Sequence, residues 1–247
     1  MSSAPLAEAF LSLQGEGWWV GVPQIFVRVR GCDLTCLYCD TAWARDLAGE
    51  ARFCPPGCGT PLALPNPVPL SDVLTVVDAW RRPGLHSLAL TGGEPLLYPE
   101  FVGALGEALA ERDLPLYLET AGHLPEALAQ VIHVAPYISL DYKLPSTLAE
   151  PVPVERFLES ATIAAQAESY VKIVVTDRTP EDELAEAARG LAGVNPTTRV
   201  VLQPVTGLSA AGGTPSAPQL LAWQELLSQH LTQVRVIPQC HPLLGVR

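Results

Sequence analysis

The sequence predicts an α/β protein built on a parallel sheet. Three observations carry that prediction. Strand-length apolar runs alternate with amphipathic helical stretches from Gln24 to Ile237. The 247 residues are 48% hydrophobic, enough for a sizeable core in one large domain. Polar side chains also gather directly after successive strands, where parallel α/β folds place their chemistry.

Taken in order, Gln24–Arg30 (Q-I-F-V-R-V-R) reads as the first strand and Leu70–Trp80 as a helix with Ser71 or a neighbour as its cap. His86–Leu90 is a strand. Glu100–Glu111 is an amphipathic helix with Phe101, Leu105 and Leu109 on one face. Leu116–Glu119, Tyr137–Leu140, Tyr170–Val175 and Arg199–Leu202 are strands. They are followed by helices at Pro125–Gln130, Val154–Gln166, Glu181–Leu191 and Pro218–Leu231, and Val234–Ile237 is a last strand. The count is six βα units and a final strand. Gly49–Pro69 breaks the rhythm with Cys54, Cys58 and six prolines, and reads as a surface loop inserted into a single domain spanning residues 1–247. Ala210–Pro218 is a second loop.

The formal charge of −11 argues against a nucleic-acid groove and fits an enzyme acting on a small molecule. The N-terminus has no basic leader and no segment approaches a membrane span, so cytoplasm is expected, where cysteines stay reduced.

The run Gly31-Cys-Asp-Leu-Thr-Cys-Leu-Tyr-Cys-Asp-Thr41 carries the strongest signal. Cys32, Cys36 and Cys39 stand in C-x3-C-x2-C spacing. Three thiolates hold three irons of a cubane and leave the fourth open to a small molecule, whereas four-cysteine sites fill every iron. A zinc site completed by Cys54 or Cys58 is the competing reading, and a non-catalytic cluster or zinc protein would follow from it. A second signal is Thr91-Gly-Gly-Glu-Pro95 after the second strand, where paired glycines let backbone approach a ligand. Taken alone, it is also an ordinary tight turn.

Together the two motifs resemble the radical S-adenosylmethionine (SAM) superfamily over most of the chain. Phe10-Leu-Ser-Leu-Gln-Gly-Glu-Gly17, the cysteine run and Ile237-Pro-Gln-Cys-His-Pro-Leu-Leu-Gly245 narrow the resemblance to the 7-carboxy-7-deazaguanine synthase (QueE) family. That resemblance implies a partial (β/α)6 barrel with a C-terminal strand extension. It implies a [4Fe–4S] cluster on Cys32, Cys36 and Cys39, with SAM chelated to the open iron, and Mg²⁺ on Thr41. The expected activity is a ring contraction of 6-carboxy-5,6,7,8-tetrahydropterin that releases ammonia. A flavodoxin or ferredoxin would reduce the cluster, and a homodimer is expected. A radical SAM activase acting on a partner protein's glycine is the alternative, and would show a wide protein-binding face.

The same resemblance assigns SAM to Tyr38, Cys39, Asp40, Gly93, Asp141 and Lys143, and the substrate to Leu13, Gln14, Gly15, Arg28 and Thr91. It also places the terminal residue near the substrate, although Arg247 stands where relatives carry proline. The residues suit these roles. In the first strand Ile25, Val27 and Val29 share one face, and Phe26, Arg28 and Arg30 the other. An inward Arg28 needs an anion, which is either a substrate carboxylate or a structural partner at Glu16 or Glu119. Thr41 reads as a hard oxygen ligand or as a helix N-cap. Lys172 and Gln203 are weaker candidates. His241 faces the substrate or closes the barrel mouth, and Cys240 reads as a bystander thiol.

Overall fold

The computed structural model describes residues 2–57 and 59–246. In chain order the strands are β1 (Ser3–Ala4), β2 (Leu6–Leu13), β3 (Pro23–Val29), β4 (Ala51–Cys54), β5 (Leu62–Leu64) and β6 (Val68–Pro69), followed by helix α1 (Leu70–Trp80). Then come β7 (Ser87–Gly92), α2 (Pro99–Ala110), β8 (Leu116–Thr120), α3 (Pro125–Val131), β9 (Tyr137–Tyr142) and α4 (Val154–Ala164). The chain continues through β10 (Glu168–Val175), α5 (Glu181–Val194), β11 (Arg199–Pro204), α6 (Ala217–Ser228), β12 (Gln233–Val236) and α7 (His241–Leu244).

Ten strands form one sheet in the order β12-β11-β10-β9-β8-β7-β3-β2-β4-β5. From β3 to β12 every pairing is parallel, as the alternation of strands and helices predicts. The helical face buries Ile25, Val27, Val29, Leu88, Leu90 and Leu118 against Phe101, Leu105 and Leu109 of α2 and their neighbours. The other face is concave. Phe10, Phe26, Ala89, Tyr117, Tyr170 and Val201, from six different strands, form one buried aromatic-rich floor. The Tyr117 and Tyr170 hydroxyls lie 2.8 Å apart across β9, and Trp19 sits edge-on to Tyr117, Tyr137 and Tyr170. These contacts wrap the sheet into the partial barrel expected.

Two segments differ from the sequence reading. β2 precedes the first strand that was read, and pairs antiparallel to β3. Its sequence, L-A-E-A-F-L-S-L, is largely buried, so it lacks the period-two alternation that marks a half-exposed strand. The segment 49–69 is not merely a loop: β4 joins β2 in parallel, β5 folds back antiparallel on β4, and β6 pairs with β1. Asn66 explains the docking. Its amide exchanges 2.8 Å hydrogen bonds with Leu6 N and Leu6 O and donates to Gly49 O. At the start of α1 the cap position is Pro69, with no side-chain capping bond, rather than Ser71.

The connection from β2 to β3 turns inward and meets the C-terminal segment. Cys240 N donates to Gly15 O at 2.7 Å and Gln239 Nε2 to Glu16 Oε1 at 2.7 Å. Glycine is required here by close approach. A Cβ on Gly15 would lie 2.5 Å from His241 Cβ, and one on Gly17, at φ +70°, would lie 1.8 Å from the Tyr170 hydroxyl. Trp18 holds the rim from outside, with the Arg235 guanidinium 3.7 Å from its ring centroid.

Candidate active site

The strand ends and the inward loop enclose a cavity of about 670 Å³, a size suited to small molecules. Its wall contains Leu13, Gln14, Gly15, Arg28, Cys32, Cys36, Tyr38, Cys39, Asp40, Thr41, Thr91, Gly93, Asp141 and Lys143. Every site residue expected from the sequence is therefore gathered in one place, except Arg247, which lies outside the described residues. The weaker candidates Lys172, Gln203 and His241 line it too.

Cys32, Cys36 and Cys39 are free and partly buried on the loop after β3. Burial pushes the Cys32 thiol up to about 11 and raises Cys36 as well. Cys54 and Cys240 do not line the cavity, and Cys58 lies outside the described residues. Three soft donors with a solvent-facing side fit a [4Fe–4S] cube that keeps one iron open. Beside them the β7 turn is packed tightly onto the cysteine loop. Glu94 N donates to Gly31 O at 2.8 Å, and a Cβ on Gly93 would fall 1.8 Å from that same oxygen. The fully buried Glu94 carboxylate accepts from Leu96 N, Thr120 Oγ1 and Ala121 N, tying the ends of β7 and β8 together.

The alternation of β9 sends Asp141 and Lys143 into the cavity, while Tyr142 packs against Phe157 on the helical side. Lys143 Nζ bonds Asp141 Oδ2 at 2.9 Å and lies 5.4 Å from the Tyr38 ring centroid. Lys172 Nζ pairs with Asp141 Oδ1 at 3.1 Å and with Glu16 Oε2. Burial opposes the charge on both lysines and is the largest single influence, but Asp141 and the other acidic groups around each lysine together outweigh it and hold both well above their ordinary value. Burial likewise opposes the charge on Glu16, yet Lys172 and Gln239 hold its carboxyl down at about 2. Glu119 behaves in the opposite sense: burial raises it despite Lys172, Thr91 and the 2.9 Å bond from Gln14 Nε2. The floor thus sets side by side two carboxyls whose acidities are shifted in opposite directions, Glu16 down and Glu119 up.

Arg28 has a structural partner other than the two acids considered for it. Its Nε donates to Glu8 Oε1 at 3.0 Å, not to Glu16 or Glu119, because β2 lies directly beside it. Its other guanidinium nitrogens form no hydrogen bond with the described residues, and the side chain borders the cavity. Arg30 leaves the inner face where β3 ends and caps Asp46 O and Glu50 O instead. Thr41 precedes a short 3-10 turn, Ala42–Ala44, but makes no side-chain capping bond, so its hydroxyl remains at the cavity wall. Nearby Glu16, Asp40 and His241 each offer a ligand atom within 4.8 Å of one another. Both Glu16 oxygens are already engaged, by Lys172 and Gln239.

Glu16 and Glu8 were the residues hardest to assign from sequence, since their roles depend on an N-terminal strand that carries no alternation. Only the Q-G-E-G run hinted at Glu16.

Comparisons with known proteins agree with this geometry. The Radical SAM superfamily profile matches residues 26–191. The 7-carboxy-7-deazaguanine synthase of Geobacter sulfurreducens is 39% identical over 98% of this chain and 97% of its own. The protein of the same name from Methanothermobacter thermautotrophicus is 33% identical over 99% and 98%. Among solved structures, QueE from Escherichia coli superposes with a TM-score of 0.61 at 19% identity, covering 97% of this chain and 95% of that one, which speaks to the fold.

Proposed function

The chain belongs to the radical SAM superfamily and, within it, to the 7-carboxy-7-deazaguanine synthase family, and from that premise we infer that it converts 6-carboxy-5,6,7,8-tetrahydropterin to 7-carboxy-7-deazaguanine with release of ammonia. It is a radical SAM lyase with a [4Fe–4S] cluster and SAM as cofactors. The observation that carries the reading is the single cavity shared by the cysteine loop, the Gly93 turn and the cavity-facing edge of Arg28.

When bound, the reduced cluster and SAM supply a hydrogen-abstracting 5′-deoxyadenosyl radical. The chain's residues bind, orient and seclude. Cys32, Cys36 and Cys39 hold the cluster. Gly93 receives the methionyl end of SAM, and Tyr38, Asp40, Asp141 and Lys143 receive the remainder. The substrate carboxylate pairs with the guanidinium edge of Arg28 left open by Glu8. Gln14, Gly15, Leu13 and Thr91 meet the pterin ring. Gln14 itself is fixed from both sides, donating to Gln24 Oε1 at 3.0 Å and to Glu119. Thr41 would offer a hard oxygen to Mg²⁺. Arg247 is proposed to reach the substrate from the chain end.

A flavodoxin or ferredoxin is the proposed reductant, a homodimer the proposed assembly and the cytoplasm the proposed compartment. No helix of the described residues is long and apolar enough to cross a membrane. The activase alternative lacks support: the site is a cavity of small-molecule size, and the relatives carry the deazaguanine synthase name.

The test is anaerobic reconstitution followed by incubation with the carboxytetrahydropterin, dithionite and SAM. A deazaguanine product by mass spectrometry is expected, and its absence from a cluster-loaded, SAM-cleaving sample would refute the assignment. Arg28→Ala should weaken substrate binding and leave uncoupled SAM cleavage intact. Loss of cluster binding in the same variant would instead make Arg28 structural.

A further inference from the structure

The loop that carries Cys32 is held at each end by backbone. Gly31 N donates to Ala44 O at 2.9 Å and Gly31 O accepts from Glu94 N at 2.8 Å. At the far end Leu37 N donates to Thr147 O, and Ala149 N to Thr35 O, each at 2.9 Å. Between these anchors a side-chain contact from outside the loop reaches the turn at Cys32–Asp33: His123 Nε2 lies 2.8 Å from Asp33 Oδ2. The two residues are 90 positions apart in the chain.

His123 is well placed to hold another group still. It is 7% exposed, at the end of β8, and its carbonyl oxygen accepts a 2.8 Å bond from Arg156 Nε. The preceding residues Thr120 and Ala121 are fastened to Glu94, whose own N–H is fastened to Gly31. The contacts therefore close a ring: Gly31, Cys32, Asp33, His123, Ala121, Glu94 and back to Gly31. Cys32 sits inside that ring, and Gly93 sits beside it. Asp33 is half-exposed, so its hydrogen bond to a buried imidazole restrains the outer side of this turn.

We propose that His123 is a positioning residue for the iron–sulfur cluster, acting through Asp33 to fix the turn that presents Cys32. It touches neither the cluster ligands' sulfur atoms nor the substrate cavity. Groups of this kind around a metal site orient its ligands and so set how firmly the metal is held. The proposal rests on the reading that Cys32, Cys36 and Cys39 hold the cluster.

The experiment uses the full chain, reconstituted anaerobically. Iron and sulfide content and the rate of cluster loss to EDTA are measured for wild type, His123→Ala, Asp33→Ala and the double variant, with His123→Gln and Asp33→Asn as conservative replacements. Urea unfolding of each apoprotein is followed in parallel. Cluster loss should accelerate on the order of tenfold in each alanine variant, no further in the double variant, and be largely restored by His123→Gln and Asp33→Asn. Unchanged cluster lifetime in either alanine variant would overturn the proposal. So would losses that multiply in the double variant, or a fall in apoprotein stability that accounts for the whole effect. Wild-type protein that takes up no cluster would overturn the underlying cluster reading instead.

Discussion

Gly93→Ala isolates the contact between the β7 turn and the cysteine loop. The new Cβ would stand 1.8 Å from Gly31 O, 2.5 Å from Gly31 C and 3.2 Å from Cys32 N, all backbone atoms that cannot rotate away. The closest contact must open from 1.8 Å to at least 3.0 Å, so the two loops must part. Parting by that distance breaks the 2.8 Å bond from Glu94 N to Gly31 O and strains the 3.0 Å bond from Gly93 N to Val29 O. Two buried backbone bonds contribute about 1–3 kcal/mol together, and leaving their groups unpaired costs more, so destabilisation of about 2–4 kcal/mol is expected. Urea unfolding of the apoprotein reads that loss. Iron content and SAM affinity after reconstitution read the displacement of Cys32 and of the turn itself. Gly103→Ala on α2 is the control: its Cβ meets nothing within 4 Å, and it should be neutral or stabilise by about 0.5–1 kcal/mol. A Gly93→Ala protein with wild-type stability, full cluster and unchanged SAM affinity would refute the argument that these loops are locked by close approach.

The remaining predictions concern the floor and the rim. Glu16 is ionised down to about 2 in the folded chain against an ordinary 4.5, so its contribution is complete above the unfolded value and is lost as pH falls towards the folded one. The shift corresponds to roughly 3 kcal/mol. The stability gap between wild-type apoprotein and Glu16→Gln should therefore shrink as denaturant melts are taken from about pH 6 down to about pH 3, and parallel curves would contradict the pairing with Lys172. Lys172→Met should destabilise by about 3–5 kcal/mol, because buried Glu16 loses its cation while Asp141 keeps only Lys143. Pairing that change with Glu16→Gln should recover part of the loss, and a double variant as unstable as the sum of its parts would exclude the coupling. Gly17→Ala drives a Cβ into the Tyr170 ring at a positive φ, and should lower soluble yield or melting temperature sharply. A wild-type melting curve would count against the inward course of the β2–β3 connection.

The parts legible in the sequence were those set by local pattern. Parallel strands and their helices announce themselves by alternation, and α1 keeps the bounds read for it, Leu70–Trp80. The cysteine spacing and the T-G-G-E-P turn were legible because each is a contiguous run with one geometric job. Buried β2 was not, since a strand covered on both faces has no alternating signature. That omission bears on the structural partner of Arg28: without β2 in place, Glu8 is not a candidate, and Glu16 and Glu119 are the acids that suggest themselves.

The same omission hid the electrostatics of the floor. Glu16 and Glu119 are similar carboxylates in sequence, yet their acidities shift in opposite directions. Lys172, from a strand more than 150 residues after Glu16, bonds directly to one of them and not to the other. The partial barrel brings that lysine to Glu16 only because Gly15 and Gly17 let the β2–β3 connection press against His241 and Tyr170. Two glycines thus decide which acid receives the lysine. This pair of neighbouring carboxyls shifted in opposite directions at the base of the cavity is a consequence of the chain's path, and no motif encodes it. It is also the feature most exposed to substitution: a methyl group at either glycine displaces the loop that carries Gln14 and Glu16, and with it the polar floor on which a bound ring would rest.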